Sequence, residues 1–170
     1  MDPIAHRAYL GAMTDGWLVP VLIVVATVLA MEVIATLIHR YVMHGLGWSW
    51  HRSHHEPQAS RFEKNDLYAL VFATLSIIPF VLADRWPVLR QVGIGLLVYG
   101  LLYTLLHDGL VHRRLPFIKS PRQRYLKRLV QAHRLHHAVR ERDGSVSYGF
   151  LYAPPVDRLV GRLRAARTRP

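Results

Sequence analysis

Three long runs of apolar residues alternate with polar, histidine-rich segments along this chain of 170 residues. The runs cover residues 17–38, 67–83 and 88–106, and each contains at most one charged side chain. Glu32 is the charge in the first run, and Pro79 predicts a kink near the end of the second. A helix needs about 20 apolar residues to cross a bilayer. The runs therefore predict three membrane-spanning helices.

The order of these runs predicts an all-α integral membrane protein built as a single domain over residues 1–170. The link between the second and third runs is short, so those two helices should form an antiparallel hairpin. Three spans leave residues 39–66 and 107–170 on one side of the membrane, as a histidine-rich helical cap. A fourth membrane-embedded helix near the start of the second cap segment remains an alternative, so the prediction is three to four transmembrane helices. A signal peptide is a weaker interpretation of the first run, because no strongly basic segment precedes it.

The basic residues lie almost entirely in the predicted cap. The chain has 22 Lys and Arg against 11 Asp and Glu, and only Arg7, Arg85 and Arg90 lie outside the two cap segments. Cytoplasmic loops of membrane proteins are enriched in Lys and Arg, so we expect an inner-membrane protein whose cap faces the cytoplasm. Basic chains also bind nucleic acids. The long apolar blocks favour lipid as the surroundings and no nucleic-acid partner.

The second cap segment carries signals for one more helix. Ser120 and Pro121 predict its start, as a hydroxyl cap followed by proline at the first helical position. Asp143 and Gly144 predict its end. The residues between them form an amphipathic pattern, so we expect this helix to lie against the membrane surface.

Ten of the eleven histidines fall into four clusters that use two spacings, each twice and in the same order. Only His6 lies outside them. The clusters H-x4-H, H-x2-H-H, H-x4-H and H-x2-H-H are His39 and His44; His51, His54 and His55; His107 and His112; and His133, His136 and His137. Passive metal-collecting tracts are also rich in histidine, but they are compositional and repetitive. The repeated spacing favours a built metal site.

The two spacings predict different local structures. Positions i, i+3 and i+4 share one face of a helix, so each H-x2-H-H cluster should aim three imidazoles at one point. Five residues of α-helix rotate by about 140° beyond a full turn, so an H-x4-H pair converges only at a helix end or a distorted turn. Gly45, Gly47 and Gly109 lie where such departures are expected.

The number of histidines fits two metal ions with four or five ligands each. The chain has no cysteine, and an all-imidazole set suits iron, copper, nickel or zinc. Zinc or copper in a purified sample would not identify the native metal, because both displace ferrous iron from nitrogen ligands. No nucleotide-binding motif is present, so an oxidoreductase of this kind would need a partner protein to deliver electrons.

Polar and aromatic residues near the clusters are candidates for supporting roles. Glu32 lies two helical turns before His39, on the same face, and a carboxylate within a span is a functional suspect. Weaker candidates for contacts to the histidines are Asp108, Asn65 and Asp66, the last of which would equally serve as a helix cap. Tyr99 and Tyr103 precede His107 at helical spacing, where they would line a path to the metals or simply pack.

The strings HRYVMHG, WHRSHH, FEKNDLY, LLHDGLVHRR, AHRLHH and SYGFLYAPP resemble a known family. The order of the four clusters resembles the membrane-bound fatty-acid hydroxylase and desaturase superfamily. The strings themselves are similar to those of bacterial β-carotene hydroxylases, the non-haem carotenoid 3-hydroxylases. The resemblance extends from about Glu32 to Pro155.

This resemblance implies an O2-dependent monooxygenase with two non-haem iron ions held by the ten clustered histidines. It implies hydroxylation of carbon 3 of β-ionone rings, which converts β-carotene to β-cryptoxanthin and zeaxanthin and would carry canthaxanthin toward astaxanthin. Ferredoxin and its reductase would supply the electrons.

Three alternatives stay open beside this prediction. A fatty-acid or sterol hydroxylase or desaturase of the same superfamily would use the same clusters. A metal transporter would place its ligands near the bilayer midplane, whereas these clusters fall at the ends of the predicted helices. A haem protein with two histidine ligands would show the optical spectrum of haem.

Overall fold

A computed structural model describes residues 3–56, 60 and 62–167, with side chains from residue 16 to residue 166 of that range. His6 lies outside the described side chains. Throughout the described residues the regular elements are helical, as the sequence predicts. They are α1 (Pro3–Leu37), π1 (Ile38–Leu46), α2 (Trp48–His55), α3 (Asp66–Leu75), α4 (Ile78–Val81), α5 (Val88–Tyr103), π2 (Thr104–Val111), α6 (Arg124–His136) and α7 (Val156–Arg167).

Two helices are long and apolar enough to cross a membrane. They are Gly16–Leu46, with 31 residues, and Val88–Val111, with 24 residues. Each extends past the apolar run into the adjoining H-x4-H cluster, because π1 continues α1 and π2 continues α5. In the most apolar 18-residue stretch of the first helix, only 6% of the residues are buried within the protein. A core helix of a soluble domain would be mostly covered, so this helix presents its apolar surface outward, as lipid requires.

The second predicted span is a shorter and interrupted helix. Asp66–Val81 is apolar but divided at Ser76 and Ile77 into α3 and α4. Pro79 lies in the first turn of α4, where its missing N–H costs no helical hydrogen bond. The break therefore falls close to the kink that this proline predicts.

Small residues let the apolar helices approach closely. α1 and α5 form the most extensive pair of elements, and Gly95 of α5 faces Thr27 of α1. A Cβ atom at position 95 would lie 2.5 Å from Thr27 Cβ, so only glycine permits this spacing. α4 packs on the same helix where Phe80 covers Gly93. The short link thus places α4 beside α5, while α1 makes the more extensive contact with α5.

The cap has its own small hydrophobic core between α6, α7 and the segment that joins them. Its buried members are Leu129, Ala132, Val146, Ala153, Leu159 and Leu163. Burial of each leucine or valine side chain contributes roughly 1.5–3 kcal/mol. This core fixes α6, which carries the last histidine cluster, against the rest of the cap.

The predicted limits of the cap helix are wrong at both ends. α6 begins at Arg124 and not at Ser120, and the described bond to the Ser120 hydroxyl comes from Arg113 and not from a helix amide. α6 ends at His136, well before Gly144. The chain beyond it turns so that its carbonyl groups reach histidine side chains, which a continued helix would prevent by using those carbonyls internally. Gly144 marks a turn in that segment with φ of +93°.

Candidate metal site

The two H-x4-H clusters lie on π-helices, and this geometry explains their spacing. A π-helix closes hydrogen bonds between residues five apart, so side chains at i and i+5 lie one above the other. In π2 the amide of His112 donates to the carbonyl of His107 at 2.9 Å. The imidazole centroids of His107 and His112 are 4.5 Å apart, and those of His39 and His44 are 5.3 Å apart. The distorted turn that the sequence predicts is therefore a π-helical turn at the end of each candidate span.

The ten clustered histidines meet in one place and divide into two groups. Group A is His39, His44, His51, His55 and His136, and its five nitrogens lie within 4.8 Å of one another. Group B is His54, His107, His112 and His133, under the same limit. The tenth, His137, adjoins group B, with its Nε2 atom 2.8 Å from that of His133. Each group draws on both halves of the chain.

The prediction that each H-x2-H-H cluster aims at a single point is wrong. In α2 the first and last histidines join group A and His54 joins group B. In α6 the division is reversed, because His133 lies in group B while His136 lies in group A. A helix turns about 100° per residue. Residue i+3 therefore points to one side of residue i and i+4 points to the other, so a trio straddles two neighbouring sites.

Hydrogen bonds fix which nitrogen is free in most of the imidazoles. Among the described residues, seven of the ten histidines donate from Nδ1 to an oxygen that only accepts. Those oxygens are the carbonyls of Tyr148, Arg142, Val139 and Val146, the amide oxygen of Asn65 and the carboxylates of Glu63 and Asp108. A proton on Nδ1 leaves Nε2 with a free lone pair, which is the form of histidine that binds metals.

The free Nε2 atoms face one another at distances that suit a shared cation. His39 and His51 approach to 3.0 Å, and His44 and His136 to 3.2 Å. Both members of each pair already donate from Nδ1. Two lone pairs in such contact repel, and a positive ion between them removes the repulsion. The donor set therefore fits one metal ion in each group.

Burial keeps the cap imidazoles neutral. Burial lowers the pKa of His51 to about 3 and that of His55 to about 4, against opposing hydrogen bonds to Asn65 and the Val139 carbonyl. Burial and then neighbouring histidines lower the pKa values of His112 and His137 to about 2. A protonated imidazole cannot bind a metal, so these shifts keep the site ready for metal at neutral pH.

Of the polar residues that the sequence predicts near the clusters, some contact a histidine directly and others do not. Asn65 binds His51 at 2.7 Å, and Asp108 binds His107 at 2.8 Å. In the part of the chain that the structure describes, Asp66 makes no hydrogen bond or ion pair with any of the ten histidines. Its carboxylate instead pairs with Arg114 through two bonds of 2.7 Å and accepts from the Glu63 amide. Asp66 thus fixes the positions of Arg114 and of the Glu63 backbone beside group B.

Glu32 does not contact His39, although the two lie on one helix face. One carboxylate oxygen accepts the amides of Phe150, Leu151 and Tyr152, each at 3.0 Å. The other accepts the hydroxyl of Tyr99 at 3.1 Å. The helical spacing is correct, but the carboxylate points to the chain segment that follows α6.

The two tyrosines of α5 have different neighbours. Tyr99 is buried and bonds to Glu32, so it belongs to the packing between α1 and α5. Tyr103 stacks on His107 with ring centroids 4.6 Å apart. It therefore lies at the edge of group B.

Sequence reasoning missed several partners of the histidines. Glu63 accepts from His54 at 2.9 Å, although it lies only two residues before Asn65 in the string FEKNDLY. Its acidic side chain close to Asn65 was the available signal. The four backbone carbonyls carry no sequence signal, because any residue type supplies the same oxygen.

A cleft of about 930 Å³ opens beside group B. Its lining includes His112 and His137, which are only partly buried, and four arginines: Arg113, Arg114, Arg134 and Arg140. Every member of group A is buried. In group B, His54, His107 and His133 are buried too, and the cleft lining includes His55 of group A. The cleft therefore reaches histidines of both groups, and His112 and His137 are the more exposed ones.

Fold and site together define a helical protein with two apolar helices suited to a membrane and a histidine site built to hold metal. The chain belongs to the fatty acid hydroxylase family, whose model matches residues 24–162. Among relatives, it is 58% identical to the β-carotene hydroxylase of Pantoea ananas over 150 residues, which cover 87% of this chain and 85% of that protein.

More relatives carry similar names. The chain is 61% identical to the β-carotene hydroxylase of Paracoccus sp. (strain PC1) over 145 residues, or 84% of this chain and 90% of that protein. It is 33% identical to the chloroplastic β-carotene 3-hydroxylase 1 of Arabidopsis thaliana over 135 residues, which cover 76% of this chain and 43% of that protein. No solved structure matches the chain.

Proposed function

We propose that this protein is a membrane-bound, O2-dependent β-carotene 3-hydroxylase that contains two iron ions. The proposal rests on two observations taken together. The structure holds two groups of histidines that could each bind a metal ion, and the chain is 56–61% identical in sequence to bacterial β-carotene hydroxylases. The reaction would add a hydroxyl group at carbon 3 of each β-ionone ring and give β-cryptoxanthin and then zeaxanthin. Ring-ketolated carotenoids such as canthaxanthin are further candidate substrates.

The ten histidines are the proposed ligands, five for each ion with His137 completing group B. When bound, two iron ions would supply the redox chemistry that activates O2, which no side chain of this chain can perform alone. The protein's part is to hold seven of the ten imidazoles in one tautomer through Asn65, Glu63, Asp108 and four carbonyls. It also buries eight of the ten histidines.

The position of the histidines suits a substrate dissolved in lipid. π1 and π2 end the two apolar helices, so the centre lies where those helices would leave a bilayer. We propose three spans, with α3 and α4 together forming the shorter third one, and a cap over residues 39–66 and 107–170. A fourth membrane-embedded helix is not needed to bring the described histidines together. The excess of basic residues in the cap supports its placement on the cytoplasmic side of the inner membrane.

The cleft beside group B supports an electron-transfer partner. Arg113, Arg134 and Arg140 are exposed on its lining, whereas its acidic residues Glu56, Glu63 and Asp108 are partly buried. The partly buried His112 and His137 lie within it. An acidic protein such as ferredoxin, itself reduced by its reductase, would be attracted by this charge and would approach group B closely.

Pigment analysis of cells that make β-carotene tests the proposal. Expression of the protein should convert β-carotene to zeaxanthin, whereas His54→Ala and His136→Ala, one from each group, should leave β-carotene unchanged. His6→Ala serves as the matched control, because His6 is the one histidine outside the clusters. Oxidation of fatty acids or sterols in the same membranes, with carotene untouched, would favour the other hydroxylases of the superfamily and refute this substrate.

A further inference from the structure

Glu32 links the first apolar helix to a segment more than a hundred residues away in the chain. Its Oε1 atom accepts the amides of three consecutive residues, Phe150, Leu151 and Tyr152. Tyr99 donates to the second carboxylate oxygen from α5. A carboxylate with four donors inside an apolar region is fully hydrogen-bonded, and the three amides would lack an acceptor without it.

The segment that Glu32 holds touches both histidine groups. The carbonyl of Tyr148 accepts the Nδ1 hydrogen of His39 at 2.8 Å, which turns the Nε2 atom of His39 toward group A. The ring of Phe150 stacks on His39 with centroids 5.3 Å apart and an angle of 10° between the planes. The same ring lies edge-on to His107 of group B at 5.3 Å. No other side chain outside the ten histidines has described ring contacts to both groups.

Gly149 supplies an independent sign that this contact is specific. A Cβ atom at this position would lie 2.7 Å from Glu32 Oε1 and 3.3 Å from Thr36 Oγ1. It would also lie 3.0 Å from the carbonyl oxygen of Tyr152, so a larger residue would disturb the turn whose three amides converge on one oxygen. The segment and the carboxylate are therefore fitted to each other.

We infer that Glu32 is a positioning residue for the metal centre, acting through residues 148–152 and not by contact with a ligand. It holds this segment so that the Tyr148 carbonyl sets the orientation of His39 and the Phe150 ring closes the side of the centre that faces the apolar helices. The inference rests on the proposed metal site, and its test uses cobalt(II) and amide exchange, which need no substrate.

Three variants of the full-length protein in detergent micelles test the inference. Glu32→Ala removes the acceptor, Gly149→Ala pushes the segment away while keeping the carboxylate, and Glu32→Gln keeps an oxygen that accepts the three amides. Asp84→Ala, a change at an exposed carboxylate on the α4–α5 link, is the control. Hydrogen exchange of residues 148–152 and cobalt(II) affinity with its visible spectrum are the measurements.

We expect amide exchange at residues 150–152 to rise at least about 10-fold in Glu32→Ala and Gly149→Ala, since the bonds that protect them are lost. Cobalt(II) affinity should fall about 10-fold to 100-fold with an altered spectrum, the range seen when ligand-orienting residues are lost. Glu32→Gln and Asp84→Ala should stay near wild type. If Glu32→Ala does not accumulate, Gly149→Ala decides.

Wild-type exchange and an unchanged cobalt spectrum in Gly149→Ala would overturn the inference. Equal damage from Glu32→Gln and Glu32→Ala would also overturn it, because the amide oxygen should substitute as acceptor. Failure of the wild-type protein to hydroxylate β-carotene would contradict the proposed function and leave these two measurements valid.

Discussion

The imidazole of His54 shows how much of the site depends on single contacts. Its Nδ1 atom donates to Glu63 at 2.9 Å, and its Nε2 atom faces His107 at 3.2 Å. Without the carboxylate, the ring gains a second tautomer and freedom to rotate, so the free lone pair no longer points steadily at group B. Glu63 is held in turn by the carboxylate of Asp66, which accepts its amide. The orientation of seven of the ten histidines thus rests on a residue outside the two groups.

Glu63→Ala should therefore weaken metal binding by group B. We expect about 10-fold to 100-fold lower affinity or activity, the usual cost of losing an orienting partner. Glu56→Ala is the matched control, because Glu56 pairs only with exposed Arg52 in the described structure, and such surface pairs contribute little. Metal titration of both variants is the measurement, and equal affinities would contradict this role of Glu63.

The stability of the metal-free protein should fall as the pH is lowered below neutral. In the folded state the pKa values of His51 and His55 are about 3 and 4, whereas an unfolded histidine has a pKa of about 6.5. Between these values the unfolded chain binds more protons, so stability decreases as the pH falls and levels off above the unfolded pKa. Each histidine contributes a slope of up to about 1.4 kcal/mol per pH unit.

Thermal unfolding of metal-free protein between pH 7.5 and pH 5 measures this effect. The contribution of these histidines should lower the unfolding midpoint steadily below about pH 6.5 and leave it level at higher pH. A midpoint that rises on acidification would mean that the buried imidazoles are protonated in the folded state.

The helical elements show where the sequence was informative and where it was not. The apolar runs and the histidine spacings are local, so the helices and the gathering of clusters at their ends could be predicted from them. The π-helices could not be named from spacing alone, because an H-x4-H pair also fits a helix end. The split of each trio between two groups depends on which neighbours flank α2 and α6, which is information from tertiary packing. The direction of the Glu32 side chain depends on a contact 118 residues away.

The closeness of α1 and α5 should matter for the metal centre as well as for stability. Gly95→Ala places a methyl group against Thr27 and forces the two helices apart, and π1 and π2 extend from those helices. Overpacking of this kind costs about 1–3 kcal/mol. We expect a lower unfolding midpoint together with weaker metal binding, because histidines of both groups move with the helices.

Gly100→Ala on the same helix is the control, since nothing lies within 4 Å of a Cβ atom there. It should be neutral or slightly stabilising, because alanine favours helix over glycine by about 1 kcal/mol. Thermal unfolding and metal titration of the two variants separate a packing effect from a helix-propensity effect. Equal behaviour of the two would show that the α1–α5 contact does not set the geometry of the centre.

At the scale of the whole molecule, charge and hydrophobicity divide the chain into two zones. The apolar helices expose their side chains, as with Trp17 at 71% and Leu29 at 64%, while eight of the ten clustered histidines are buried. The cap carries 19 of the 22 basic residues when residues 39–66 and 107–170 are counted together. If Val88–Val111 crosses the bilayer, Asp84 before it and Arg162 in α7 after it must lie on opposite sides.

The lack of native cysteine makes this arrangement directly testable. Asp84→Cys and Arg162→Cys each introduce a single thiol at an exposed position, on the α4–α5 link and on α7. With the cap in the cytoplasm, a membrane-impermeant maleimide added to intact spheroplasts should label the cysteine at position 84 and leave the one at position 162 unlabelled. Permeabilised cells should label both, which shows that position 162 is reactive. Labelling of only position 162 in intact spheroplasts would mean that the cap lies on the opposite side of the membrane, away from the cytoplasm. Labelling of both would mean that Val88–Val111 does not span the membrane, and the centre would then lie beside the bilayer and not at the end of a spanning helix.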